Sequence, residues 1–263
     1  MGDWPILSQT KWGQDDLTFN PYTVLVTPHA SANTKSVYTQ IVAAAPFDVA
    51  GLLLNTRVVM QTAKLLDIAV GGAGTEQVIV PNFPIFATQG GGFQADMESL
   101  AFIPIVIRKG ARIAVRFQGN VGAAVLMLKA QLLSMGGFAG FQPSTKYEAW
   151  GANLAASHGT TVVSGAGNTK GAYAELIAAT GLSSRWVLLS FGLGSVDEMA
   201  VDIAIGGVGS EQVVIPNIYT KNQNQQAANV LLPLSVPKGT RISARSAAVL
   251  AAQTAYVLLL GGE

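Results

Sequence analysis

The sequence contains no cysteine. That excludes disulfide frameworks, thiolate metal sites and thiol nucleophiles. Charge is also scarce: Asp, Glu, Lys and Arg make up 12% of the 263 residues, about half the usual share of a soluble domain. The net charge is +1, so no general attraction to nucleic acid or anionic membrane is expected. No apolar run reaches the ~18 residues needed to cross a bilayer as a helix. The longest, AAVLMLKAQLL and AAVLAAQTAYVLLL, are broken by Lys129, Gln131, Gln253 and Thr254. The first residues, MGDWPILSQTKWGQDD, lack a basic region followed by an apolar core, so no secretion signal is expected. Yet 49% of the chain is hydrophobic. That apolar surface is expected in cores and subunit contacts, which predicts a homo-oligomer or a larger assembly.

The chain does have a repeat. Residues 67–83 read DIAVGGAGTEQVIVPNF, and 135 positions later residues 202–218 read DIAIGGVGSEQVVIPNI. Upstream at the same offset, NTKSVYTQIVAAA (33–45) matches NTKGAYAELIAAT (168–180). Downstream the offset falls to 129, where FIPIVIRKGARIAVR (102–116) matches LLPLSVPKGTRISAR (231–245). Near the end QLLSMGG (131–137) is set against YVLLLGG (256–262). An internal duplication follows. The expected organisation is an arm at 1–11, a first domain at 12–137, a linker at 138–149 and a second domain at 150–263.

Strand periodicity sets the fold class. Leu66, Ile68 and Val70 alternate with Asp67 and Ala69, and Val201, Ile203 and Ile205 with Asp202 and Ala204. Period two is a half-buried strand. The glycine cluster then turns the chain and QVIVPN returns, which predicts a hairpin. A second hairpin is expected from Ile103, Ile105 and Ile107 through RKGAR to Ile113, Val115 and Phe117. The fold class is therefore all-β, as two tandem jelly-roll-like antiparallel β-sandwich domains.

Candidate sites are weighed against structural roles. GGAGTE looks like a phosphate loop, but a strand follows where such loops open a helix. Its glycines are expected to supply positive φ. No nucleotide, metal or other cofactor is expected. His29 and His158 occupy no shared position and are expected in surface loops. Asp67 is expected to pair with Arg112 or Arg116, and Asp202 with Arg241 or Arg245. Glu76 and Glu211 are expected to accept turn N–H groups. Tyr38 and Tyr173 are expected in the core or between the sheets. Candidates for docking or ligand contact are Trp4 in the arm, the loop glycines Gly90, Gly91 and Gly92, and the aromatics Trp150 and Trp186.

The joint pattern is Y-x-x-[IL], then DIA-[IV]-GG-x-G-[ST]-EQV-[IV]-[VI]-PN, then P-x-x-[VI]-x-KG-x-RI-x-x-R. It resembles a module in surface proteins of tailed bacteriophages and related gene-transfer particles. The resemblance covers most of both repeats. It implies a non-enzymatic virion structural protein of the head-decoration, head-fibre or tail-tip kind, assembled in the host cytoplasm. Its implied partners are major capsid or tail proteins. The alternative is a carbohydrate-binding adhesin that recognises host surface polysaccharide. A depolymerase would need two carboxylates in one cleft, and the shared acidic residues fall in separate copies.

Overall fold

The computed structural model describes residues 24–58, 63–85, 97–123, 125–134, 142–194, 198–220 and 228–263. Trp4 and the arm, and the loop glycines Gly90, Gly91 and Gly92, lie outside the described residues. Those described form strands, bridges and turns with no helix.

Copy one supplies β1 (Val24–Val26), β2 (Thr39–Val42), β3 (Val49–Val58), β4 (Lys64–Val70), β5 (Gln77–Ile85), β6 (Met97–Ile103), β7 (Ile113–Gly119) and β8 (Leu126–Ser134). They form two four-stranded sheets, ordered β1-β8-β3-β6 and β2-β7-β4-β5, with antiparallel pairing throughout. Successive strands thus cross from sheet to sheet, except at the β4–β5 hairpin. This is the eight-stranded jelly-roll order.

Copy two supplies β9 (Tyr147–Trp150), β10 (Ala152–Asn153), β11 (His158–Val163), β12 (Ala174–Ile177), β13 (Trp186–Leu193), β14 (Met199–Ile205), β15 (Gln212–Thr220), β16 (Ala228–Leu232), β17 (Ile242–Ala248) and β18 (Thr254–Gly262). Its sheets run β11-β18-β13-β16 and β12-β17-β14-β15, the same order again. The β9–β10 segment extends the first sheet: β9 pairs with the end of β18 and β10 with β11.

Two sequence expectations are corrected. The stretches around RKGAR and PKGTR do not form hairpins. β6 pairs with β3 while β7 pairs with β2 and β4, so the chain changes sheets at the turn. Alternation reveals which side of a strand is apolar, and both sheets of a sandwich show the same alternation. The C-terminal match is also shifted. Leu52 pairs with Leu132, and its equivalent Val187 pairs with Gly261. The offset of 129 therefore holds to the end of the chain: Lys129 corresponds to Leu258, Gln131 to Leu260 and Leu132 to Gly261.

Each sandwich has its own core. In copy two, Val187, Leu189, Phe191, Val257 and Leu259 point inward with Trp150. Their neighbours Leu188, Leu258 and Leu260 point out of that sheet and join the copy-one cluster, with Tyr147. So copy two lays the outer face of its first sheet on copy one. Strand β9 lies along β5. The Tyr147 hydroxyl donates to the Pro104 carbonyl at 2.8 Å, and the Val106 N–H to the Ser144 carbonyl at 2.8 Å. Gln118 Nε2 reaches the Leu154 carbonyl at 2.6 Å, and the Ser157 hydroxyl donates to Asn33 Oδ1 at 2.7 Å. Burial of the Tyr147 phenol in this contact pushes its pKa up. Part of the expected linker is thus strand and interface.

Candidate functional site

The residues shared by the two copies gather on the outer face of the β2-β7-β4-β5 sheet and of its counterpart. Asp67 and Arg116 are directly opposed across β4 and β7, as Asp202 and Arg245 are across β14 and β17. Register, rather than face, chooses the partner. Arg116 Nε donates to Asp67 Oδ2 at 2.9 Å, and Lys35 Nζ to Asp67 Oδ1 at 2.8 Å. The backbone N–H of Asn82 adds a third bond, to Oδ1, at 2.9 Å. Copy two repeats the clamp at Asp202 with Arg245 at 3.0 Å, Lys170 at 2.8 Å and the Asn217 N–H at 2.8 Å.

The clamp shapes the strand that receives it. Asn82 and Asn217 have φ of 52° and 50°, a left-handed conformation that Asn tolerates better than most residues. The pairing of β4 with β5 shifts register between Leu66 and Ile68, opposite that asparagine. Asp67 therefore holds the bulge closed. Each lysine also donates to a carbonyl of its clamp's strand, Lys35 to Leu65 and Lys170 to Ala200. The arginines lie over aromatic rings, Arg116 over Tyr38 and Arg245 over Tyr173, each 4.7 Å from the ring centre. Both tyrosines are half-buried under the guanidinium rather than in the core or between the sheets.

A second clamp closes the glycine turn. Glu76 accepts from Arg112 Nη1 at 3.0 Å and from the Gly74 N–H at 2.8 Å. Arg112 also donates to the Gly71 carbonyl, at 3.2 Å. In copy two Arg241 Nη1 reaches Glu211 at 3.2 Å and the Gly206 carbonyl at 3.0 Å. So Arg112 and Arg241 go to the glutamates rather than to Asp67 and Asp202. The turn glycines Gly71, Gly74, Gly206 and Gly209 have φ between 80° and 114°. Among the described residues no helix N-terminus is present for a phosphate.

The electrostatics follow from this wiring. Hydrogen bonds to Glu76 from its own N–H, from Arg112 and from the Gly74 N–H hold its carboxyl below the ordinary range. Glu211 is held down in the same way by its own N–H, Arg241 and the Gly209 N–H. Burial pushes Asp202 up, but bonds from Lys170, the Asn217 N–H and Arg245 outweigh it and the net direction is down. Burial lowers the Lys35 ammonium, against the pull of Asp67. These carboxylates are charged acceptors already filled by donors. They are poorly placed to take a substrate proton or to open toward a ligand.

Several other candidates settle elsewhere. Trp150 is 0% exposed. It fills the copy-two core, and its Nε1 donates to Glu148 at 2.9 Å. It offers no platform for a sugar. Trp186 is half-buried and donates to the Gln142 carbonyl at 3.0 Å. His158 begins β11 and stacks on Tyr256 at 4.0 Å, so it is not a loop residue. Among the described residues, no three or more His, Cys, Asp or Glu converge as a metal site.

Sequence reasoning overlooked Lys35, Lys170 and the bulge asparagines. The signal was present, since NTK and PN stand at matching places in both copies. It also overlooked Lys64, which is 0% exposed in β4. Burial lowers this ammonium to about 7. The equivalent position in copy two holds the buried Met199.

No family model matches the sequence, and no curated protein matches it. Among solved structures, the chain is similar to the N-terminal CBM22-1–CBM22-2 tandem domain of Xyn10C from Paenibacillus barcinonensis. That match has 10% identity and a TM-score of 0.27, over 97% of this chain and 90% of that one. A Broad Bean Stain Virus structure matches at 7% identity and a TM-score of 0.35, over 91% of this chain and 89% of that one. A structure of infectious bursal disease virus, Gx strain, matches at 12% identity and a TM-score of 0.25, over 82% and 58%. These scores are too low to carry an argument about fold or function.

Proposed function

We propose that this chain is a non-enzymatic structural protein of a virion, carried in repeated copies on the head or tail surface. The observation that supports this reading best is how the shared polar residues are used. In both jelly rolls the shared carboxylates and the basic residues that meet them are consumed in bracing one outer sheet face. The chain invests its few charges in stiffness. The two sandwiches are also joined by a buried apolar contact rather than a swinging tether, as suits a part built into a particle.

The test is immunogold labelling of purified particles with an antibody to this protein. Gold spread over the heads is expected for a decoration or head-fibre part, and gold at one tail end for a tail-tip part. Unlabelled particles beside abundant protein in the lysate would overturn the reading. The alternative, an adhesin for host surface polysaccharide, now rests on Trp186 among the described candidate aromatics, because Trp150 is internal. Loss of glycan binding in Trp186→Ala would favour it.

A further inference from the structure

Residues 142–157 run along copy one and are fastened to it at two places. The first lies on the stretch that crosses between the sheets before β7. There Ile105 pairs with Ser144 as an isolated bridge, and the Val106 N–H donates to the Ser144 carbonyl. The Tyr147 hydroxyl donates to the Pro104 carbonyl beside them. The second lies near the finish of β7, where Gln118 stands opposite Leu65 at the start of β4. Gln118 Nε2 donates to the Leu154 carbonyl at 2.6 Å and to the Ser157 hydroxyl at 3.1 Å, and that hydroxyl donates on to Asn33 Oδ1 at 2.7 Å. From Ile113 to Gln118 is about 17 Å at the rise of a strand. Between the fastenings β9 lies along β5. Alternation divides β9 between the two cores. Tyr147 and Ala149 join the copy-one cluster, while Trp150 fills copy two and Glu148 accepts from the Trp150 indole and the Gly181 N–H.

Two kinds of contact join the copies, and they do different jobs. The apolar contact through Leu188, Leu258 and Leu260 holds them together, but burial of apolar area has no direction. Hydrogen bonds have direction, and a buried network with its partners satisfied selects one arrangement. At the first fastening each acceptor is a backbone carbonyl. At the second the geometry depends on the side chains of Gln118, Ser157 and Asn33, and both Gln118 and Ser157 are buried. The polar cluster is not a general feature of the fold. Gln118 pairs with Leu65 where copy two pairs Ala247 with Ala200, so alanine stands at the equivalent place.

We infer that residues 142–157 form a strap with a pivot at the Pro104–Ser144 end and a lock at the Gln118–Ser157 end, and that the lock sets the angle between the two sandwiches. With the lock released, the copies stay attached through the apolar contact but turn about the pivot. With it closed, the two braced sheet faces stand at one fixed angle, and a partner that meets both must match it. The inference goes beyond the virion reading, and the two fail separately: particle labelling tests location, and the following experiment tests the lock.

The chain has no cysteine, so a pair of spin labels can be placed at will on the full chain. Val121→Cys, near the lock in copy one, and Val208→Cys, on the glycine turn of copy two, are both exposed sites. Pulsed dipolar electron paramagnetic resonance then reads the distribution of distances between the copies. One narrow peak is expected with the lock intact. Gln118→Ala with Asn33→Gly removes all three bonds of the lock, and glycine accepts the positive φ of position 33. A broad distribution is expected, with circular dichroism showing that the strands remain. Gln118→Ala alone, the milder variant, should give an intermediate width. Tyr147→Phe trims the pivot but leaves the Val106–Ser144 bond, so its peak should stay narrow. A broad distribution with the lock intact would overturn the inference. So would a double variant as narrow as its parent, or Gln118→Ala as narrow if the double variant unfolds. Equal broadening by Tyr147→Phe and Gln118→Ala would overturn it too, because the lock would then not be at the Gln118 end.

Discussion

Removing the Asp67 carboxylate should cost copy one much of its stability. The Asp67 side chain is 5% exposed and that of Arg116 is 33% exposed. Breaking a buried pair by removing one partner costs about 3–5 kcal/mol. Arg116 and Lys35 retain some access to water, which reduces the loss. The Asn82 N–H, held at positive φ, would lose its acceptor, at about 1–3 kcal/mol for a buried donor. An estimate of about 3 kcal/mol for Asp67→Ala follows. If both sandwiches melt together, that lowers Tm by about 6–12 °C, at roughly 2–4 °C per kcal/mol for a chain of this size. Asp67→Asn keeps an oxygen for the Asn82 N–H and should lose about half as much. Asp202→Ala, with the same three donors, should cost the same to within ~1 kcal/mol. Urea titration and scanning calorimetry measure all three. A loss below ~1 kcal/mol for Asp67→Ala, or no coupling in a double-mutant cycle with Arg116→Ala, would refute the view that the clamp holds the sheet.

Lys64 makes stability depend on pH. Its folded pKa of about 7 lies below the ordinary 10.5, so between those values the unfolded chain binds the extra proton. Stability should rise with pH through that window, by about 2 kcal/mol from pH 7 to pH 9. Lys64→Met, the residue of copy two, should flatten the slope in urea titrations; an unchanged slope would mean that another group causes it. The interface gives a further test. Leu258→Lys with Leu260→Gln gives copy two the outer face of copy one. One calorimetric transition should split into two, and a single sharp transition in the double variant would show that the domains are coupled elsewhere.

The sequence displayed the sheets better than their connections. The β4–β5 hairpin was legible because alternation, a glycine turn and alternation stand in a row within twenty residues. The step from β6 to β7 looks the same on paper, yet it bridges two sheets. Nothing local in RKGAR distinguishes a turn within a sheet from a turn between sheets. Trp150 misled for a related reason. A tryptophan at a domain start next to a polar linker reads as exposed, but the cavity that receives it is made more than a hundred residues later, at Gly261. The terminal match failed because a glycine pair at 136–137 imitated the pair at 261–262, whereas the pairing of Leu132 and Gly261 with equivalent residues of β3 and β13 fixes the true register. Lys35 was passed over because its partner lies 32 positions away, on a strand whose polar face already offered arginines.

Gly261 also bears on how the two copies diverged. A Cβ there would come within 2.1 Å of the Trp150 ring, while the matching site in copy one is filled by Leu132. The indole fits the core only with glycine at position 261, so the residues at 150 and 261 are tied to each other. It follows that the duplicated halves are no longer spare parts for each other. A chimera that transplants β8 into the place of β18 would set a leucine against the indole, and recombination between the repeats would yield a core that cannot close unless position 150 is exchanged with it.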